Sequence, residues 1–222
     1  MNWLRKHDVC LDLTNLIIHD KDNRGLYSSG NISLGEVILA VPWAIVIRPD
    51  SISELEEKIT SLCDKSWKSR IFLAISMLEK RNGKYYNDWF NTLPKDLSRY
   101  PMFFTAEERE YLKGSSILVL LDKDREIIER IYKEIIKLHP KLKIFSFEDL
   151  LSYCTIIESR QFSLDVNECC IAPYLDMANC AVLGKENTTW EFDKETQCFQ
   201  YKAICNIKKG EPVTYIQEYN RF

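Results

Sequence analysis

Two residues in the segment Ala172-Pro173-Tyr174-Leu175-Asp176-Met177-Ala178-Asn179-Cys180 could do chemistry: an aspartate and an asparagine three apart in otherwise apolar surroundings. A carboxylate or a carboxamide is expensive to bury without a partner. Asp176 and Asn179 are therefore either mutually satisfied turn groups or ligand contacts. Further along, Ile207-Lys208-Lys209-Gly210-Glu211-Pro212-Val213-Thr214-Tyr215 ends in what reads as a strand. Strand side chains alternate, so Val213, Tyr215, Gln217 and Tyr219 share a face, with neighbours ~6.5 Å apart along it. Tyr215 and Tyr219 are the phenols this segment offers, and each could equally be an edge-strand aromatic packed on a core.

The elements that would position these groups fall into three blocks. Residues 1 to about 48 open with a short amphipathic helix and continue as short strands, Leu16-Ile17-Ile18, Gly25-Leu26-Tyr27, Val37-Ile38-Leu39 and Ala44-Ile45-Val46-Ile47. Glycines 25, 30 and 35 and prolines 42 and 49 separate them. From Ser51 to about Phe162 the period is helical: Ile71, Ala74, Ile75 and Leu78 recur on one face, as do Ile127, Ile128, Ile131, Ile135 and Leu138. Ser51 with Glu54, Thr105 with Glu108 and Ser146 with Asp149 have capping-box spacing, while Pro94, Gly114 and Pro140 stop the runs. After Phe162 the alternation returns, with Trp190 and Phe192 before the turn Lys194-Glu195-Thr196-Gln197 and Phe199 and Tyr201 after it. The pattern is that of an α+β protein with a helical insertion.

Bulk properties narrow the class further. A formal charge of -3 over 222 residues argues against a nucleic-acid binder working through a general basic surface. No apolar run approaches the ~18 residues of a membrane span, and Met1-Asn2-Trp3-Leu4-Arg5-Lys6-His7-Asp8 is too polar for a signal peptide. Eight cysteines include no C-x-x-C pair and no histidine lies near a cluster of them, so no metal site is expected. Reduced, buried thiols imply cytoplasm or nucleus, although the adjacent Cys169-Cys170 leaves metal binding or a strained bridge open.

Read in order, several short pieces resemble SET-domain methyltransferases, in the branch that contains the Rubisco lysine and actin histidine enzymes. The Asp176 segment resembles that family's DM-x-NH element, and residues 207–215 its I-x-x-GEE-I element. Trp3-Leu4-Arg5-Lys6 is similar to the opening W-L-K helix, and Asn23-Arg24-Gly25-Leu26-Tyr27-Ser28 to the G-x-G-L-x-A turn. Ile32 to Pro42 resembles the I-x-x-GE-x-L-x-x-VP strand pair, Tyr86 to Pro94 the W-x-P-Y-I-x-x-LP element, and Ile157 to Phe162 the V-x-SR-x-F helix end.

The resemblance implies a single β-rich SET domain over residues 1–222, with residues 51–150 as a helical insertion and a knot-like last segment. It implies an S-adenosylmethionine-dependent protein methyltransferase, directed at a lysine of a non-histone protein. Arg24, Gly25, Leu26, Arg160, Asp176, Met177, Asn179 and Cys180 would bind the cofactor, and Phe162, an aromatic as in lysine-directed members, would face the substrate. On residue type alone, Gly25 could equally belong to a plain turn, and Arg160 could simply complement a helix C-terminus. Cys180 stands where the family has histidine, Gln217 falls in the register of the catalytic tyrosine and Glu218 in that of the following glycine. Tyr215 or Tyr219 would then have to supply the phenol. Members of the branch also continue into a further helical lobe, whereas the sequence stops at Phe222. These departures keep a second reading in play, a SET fold that has lost catalysis and serves as a protein-binding module. A third is an unrelated α+β domain, in which Gly25, Arg160 and Asn179 would not converge.

Overall fold

The period-two and period-3.6 patterns become strands and helices in the order the sequence suggests. The computed structural model describes residues 16–19, 25–50, 52–163 and 168–216. Strands β1 (Leu16–His19), β2 (Gly25–Ser28) and β3 (Val37–Pro42) come first. Helices α1 (Ser53–Thr60), α2 (Lys65–Lys80), α3 (Asn87–Phe90), α4 (Ala106–Glu110), α5 (Ser116–Leu138) and α6 (Phe147–Glu158) follow. The chain then returns to strands: β4 (Phe162–Ser163), β5 (Cys169–Cys170), β6 (Asn179–Cys180), β7 (Thr188–Asp193), β8 (Cys198–Ala203) and β9 (Pro212–Tyr215). The protein is α+β. The opening helix at Trp3-Leu4-Arg5-Lys6, the Ser51 cap and the threading of the last segment lie outside the described residues.

The chain divides into two compact units, Met1–Ile47 with Ile171–Phe222, and Arg48–Cys170. Ile47 and Ile171, where the chain leaves the first unit and returns, exchange backbone hydrogen bonds of 2.9 Å in both directions. In the first unit β3, β8 and β7 form an antiparallel sheet with β8 in the middle, while β1, β2, β9 and β6 form a second sheet. Phe199 and Tyr201 on β8 and Val41 on β3 are fully buried. Trp43, Trp190 and Phe192 surround Phe199, with ring centroids 5.5 to 5.8 Å from it.

The stretch Ala44-Ile45-Val46-Ile47 departs from the strand expected there. Trp43–Ile45 is a 3-10 turn, and only Ile47 makes a β-bridge. Pro42 cannot donate to a continued ladder, and turning at once brings the Trp43 ring to 4.9 Å from Phe192.

In the second unit α2 buries Ile71, Ala74, Ile75 and Leu78, and packs mainly on α6, which buries Leu150, Leu151, Cys154 and Ile157. Helix α5 buries Ile128, Ile131 and Ile135, a stripe at helical spacing, whereas Leu138 is exposed. Each fully buried aliphatic side chain contributes roughly 1.5–3 kcal/mol. Both Thr105–Glu108 and Ser146–Asp149 are complete capping boxes. Asp149 does double duty, because one carboxylate oxygen accepts from Arg81 Nη1 at 2.6 Å and the other from the Ser146 amide at 2.8 Å.

Burial alone would raise the Asp149 carboxyl, but the hydrogen bonds from Arg81 and Ser146 and the Arg81 charge hold it below the ordinary carboxylate range. A carboxyl whose folded value is lowered stabilises above its unfolded value and stops doing so as pH falls through the folded one. Asp149→Ala should therefore lower stability by about 1 kcal/mol at neutral pH. In urea melts the gap to wild type should close in acid; a gap that persists unchanged there would show that the ion pair is not its source.

Candidate functional site

The geometry of the site begins with the two edges of β9. Backbone groups of a strand alternate between edges, so residues 211, 213 and 215 face one way and 212 and 214 the other. On the odd edge the Glu211 carbonyl accepts from Ser28 N–H at 2.9 Å, and the Tyr215 carbonyl accepts from Ala181 N–H at 2.8 Å. Strand β2 runs antiparallel to β9, with Leu26 opposite Val213, and β6 runs parallel to it, with Asn179 opposite Thr214. Both therefore lie along the same edge, one after the other. Extending the β2 register by one residue puts Gly25 level with Thr214, where Asn179 also stands.

That junction explains the glycine. A Cβ at Gly25 would lie 2.5 Å from Asn179 Nδ2, closer than real Cβ atoms approach, and 3.2 Å from its Cγ, tighter than most do. Gly25 thus leaves the space that the Asn179 carboxamide occupies.

The even edge of β9 is closed by side chains. Asn187 Nδ2 donates to the Pro212 carbonyl at 2.7 Å and its Oδ1 accepts from Thr214 N–H at 2.8 Å. The Asn187 N–H and the Thr188 hydroxyl both donate to the Thr214 carbonyl, at 3.2 and 2.8 Å. Asn187 thereby does the work of a missing strand. Sequence reasoning passed it over, since a lone Asn before an alternating run looks like an ordinary loop residue.

The segment leading to Asn179 is a strained turn. Tyr174 has φ 81 and ψ -43, outside the regions open to most side chains, which costs on the order of 1–3 kcal/mol. Its N–H donates to Asp176 Oδ1 at 2.8 Å, and the Asp176 N–H donates to the Ala172 carbonyl at 3.1 Å. Asp176 is buried and serves the backbone of its own turn, one of the two roles its sequence context allowed. Leu175–Met177 completes a 3-10 turn and delivers the chain to Asn179 and Cys180, both exposed. Because Ala181 N–H faces β9, the N–H and carbonyl of Cys180 point away from it.

The first unit thus brings Gly25, Leu26, Asp176, Met177, Asn179 and Cys180 into one pair of strands and their turn. Tyr215 shares the buried face of β9 with Val213, is 2% exposed and packs its ring 5.6 Å from that of Tyr201. Arg160 and Phe162 belong to the second unit. Arg160 stands just past Ser159, the C-cap of α6, rather than in the last helical turn, and Phe162 is buried in β4 opposite Cys170. Arg24, Gln217, Glu218 and Tyr219 lie outside the described residues. Asn179 offers one acceptor and two donors and does not titrate. The arrangement suits holding a polar ligand more than moving protons.

Comparison with known proteins adds the following. A family model described as SET domain matches residues 23–216. A curated relative from Pisum sativum, the ribulose-1,5 bisphosphate carboxylase/oxygenase large subunit N-methyltransferase of the chloroplast, is 28% identical over 211 residues, covering 87% of this chain and 42% of the relative. The solved SET domain of LSMT bound to lysine and AdoHcy aligns over 99% of this chain and 53% of its own, with a TM-score of 0.79 at 21% identity. Rubisco LSMT bound to AdoMet aligns with a TM-score of 0.77 at 22% identity, over 99% of this chain and 52% of its own. The chain therefore spans about half the length of the proteins it matches.

The Gly25 contact yields a double-mutant test. Gly25→Ala should push the Asn179 carboxamide aside and lower Tm, and Asn179→Ala in that background should recover most of the loss. Additive losses in thermal melts would show that the two residues do not share the space.

Proposed function

The chain belongs to the SET-domain family, and from that premise we propose that it is an S-adenosylmethionine-dependent methyltransferase acting on a lysine of a non-histone protein. The observation that carries this reading is the meeting of Gly25 and Asn179 at the shared edge of β9. A side chain at position 25 would displace the Asn179 carboxamide, a group suited to an ammonium, and this chain leaves the carboxamide its place. The residues present thus fit the amino-acid end of the cofactor.

When bound, the cofactor would supply a sulfonium methyl group for transfer to a neutral lysine nitrogen, its sulfur leaving as a neutral thioether. The chain's own task is to bind and orient. Asn179 Oδ1 would accept from the cofactor's ammonium, a charge-assisted contact of about 1.5–3 kcal/mol. The backbone of Cys180, directed away from β9, would meet the adenine edge, so a thiol in place of the family's histidine is compatible with that contact. Gly25 and Leu26 would line the cofactor with backbone, and Asp176 and Met177 would hold the turn. Phe162 would bear on the choice of lysine as acceptor. The similarity to a relative named for a protein substrate supports a protein as partner.

A second reading, a binding module that no longer transfers methyl groups, draws on Tyr215, whose ring is packed in the core beside Tyr201 rather than presented at the surface.

Calorimetric titration with S-adenosylmethionine should show saturable binding by the wild type, weakened at least tenfold in Asn179→Ala, as expected for one lost charge-assisted bond. Absence of binding at millimolar cofactor would overturn the proposal. Labelled methyl transfer to any protein separates an enzyme from a binding module, because a module can still bind the cofactor.

A further inference from the structure

The turn that presents Asn179 is held by a residue far from it in sequence. The Tyr201 hydroxyl donates to the Leu175 carbonyl at 3.2 Å, and that carbonyl also accepts from the Ala178 N–H at 3.1 Å. Tyr201 is fully buried on β8, the central strand of its sheet, with Leu39 of β3 opposite on one side and Trp190 of β7 on the other. Its backbone is thereby fixed on both edges. Its ring meets Tyr215, so the one side chain touches β9 and the turn at once.

We propose that Tyr201 is a positioning residue for cofactor binding: its hydroxyl fixes the Leu175 carbonyl and keeps the strained turn in the shape that delivers Asn179 and Cys180 to β9. The role rests on the reading of this site as a cofactor site. Burial first, then the neighbouring Tyr215, Asp176 and Cys180, push the phenol's pKa well above its ordinary value, so the proton needed for donation stays in place at any working pH. Tyr174 has no reason of its own to keep a φ of 81. Asp176 restrains it from within the turn, and Tyr201 restrains the next carbonyl from outside.

Tyr201→Phe keeps the ring and removes only the donor. The test compares wild type, Tyr201→Phe and Phe199→Leu, the last loosening the same sheet without touching the turn. Hydrogen exchange should quicken about tenfold at the amides of residues 176–181 in Tyr201→Phe and stay near wild type at those of β3 and β8. Affinity for S-adenosylmethionine should fall about tenfold in Tyr201→Phe, the scale of one hydrogen bond, and less than twofold in Phe199→Leu. Unchanged exchange in the turn, or equal losses of affinity in both variants, would overturn the role. If the wild type itself binds no cofactor, the functional reading fails, while exchange in the turn still decides whether Tyr201 holds it.

Discussion

One edge of a four-residue strand has to accommodate two partners. The odd-numbered groups of β9 bond to β2 near one end and to β6 near the other. Buried backbone groups left without partners cost about 1–3 kcal/mol each, so neither strand can be spared. The two strands must meet somewhere along that edge, and where they meet there is room for one side chain. The chain resolves the conflict with a glycine on β2 and an asparagine on β6. The candidate site is thus a by-product of how the sheet is closed, and the exposed Asn179 stands where the two strands converge.

The opposite edge shows how little secondary structure is needed to finish a sheet. Asn187 supplies a donor and an acceptor from one carboxamide, matching the spacing of the Pro212 carbonyl and the Thr214 amide, and Thr188 adds a hydroxyl. A strand there would need a longer connection. A side chain lets the polypeptide turn directly from the strand bearing Asn179 to the hairpin of β7 and β8, whose central strand carries Tyr201.

The sequence made the helical block, both complete capping boxes and the β7–β8 hairpin legible, because each depends on residues close together in the chain. Ser146 and Asp149, or Phe199 and Tyr201, announce themselves by spacing. Resemblance to a family implies that Gly25 and Asn179 serve one cofactor, but their meeting is not readable, since nothing local says that β2 and β6 will share an edge. Asn187 and the left-handed Tyr174 were invisible for the same reason. An asparagine that mimics a strand and an aromatic held in an unfavourable dihedral are set by distant partners, and composition carries no trace of either. The strand expected at Ala44-Ile45-Val46-Ile47 failed because apolar content was visible while the need to place Trp43 against Phe192 and Phe199 was not.

The position of β9 in the chain also bears on how the protein is made. Of the strands it joins, β2 is synthesised long before it and β6 shortly before it, and until residues 212–215 have left the ribosome neither has its partner edge. Contacts that span nearly the whole chain are slow to form, because the loop between them must be closed first. The Arg48–Cys170 unit, whose contacts are largely its own, can fold during translation. The junction of β2 with β6 cannot, so the helical unit can be complete while the site still waits for β9.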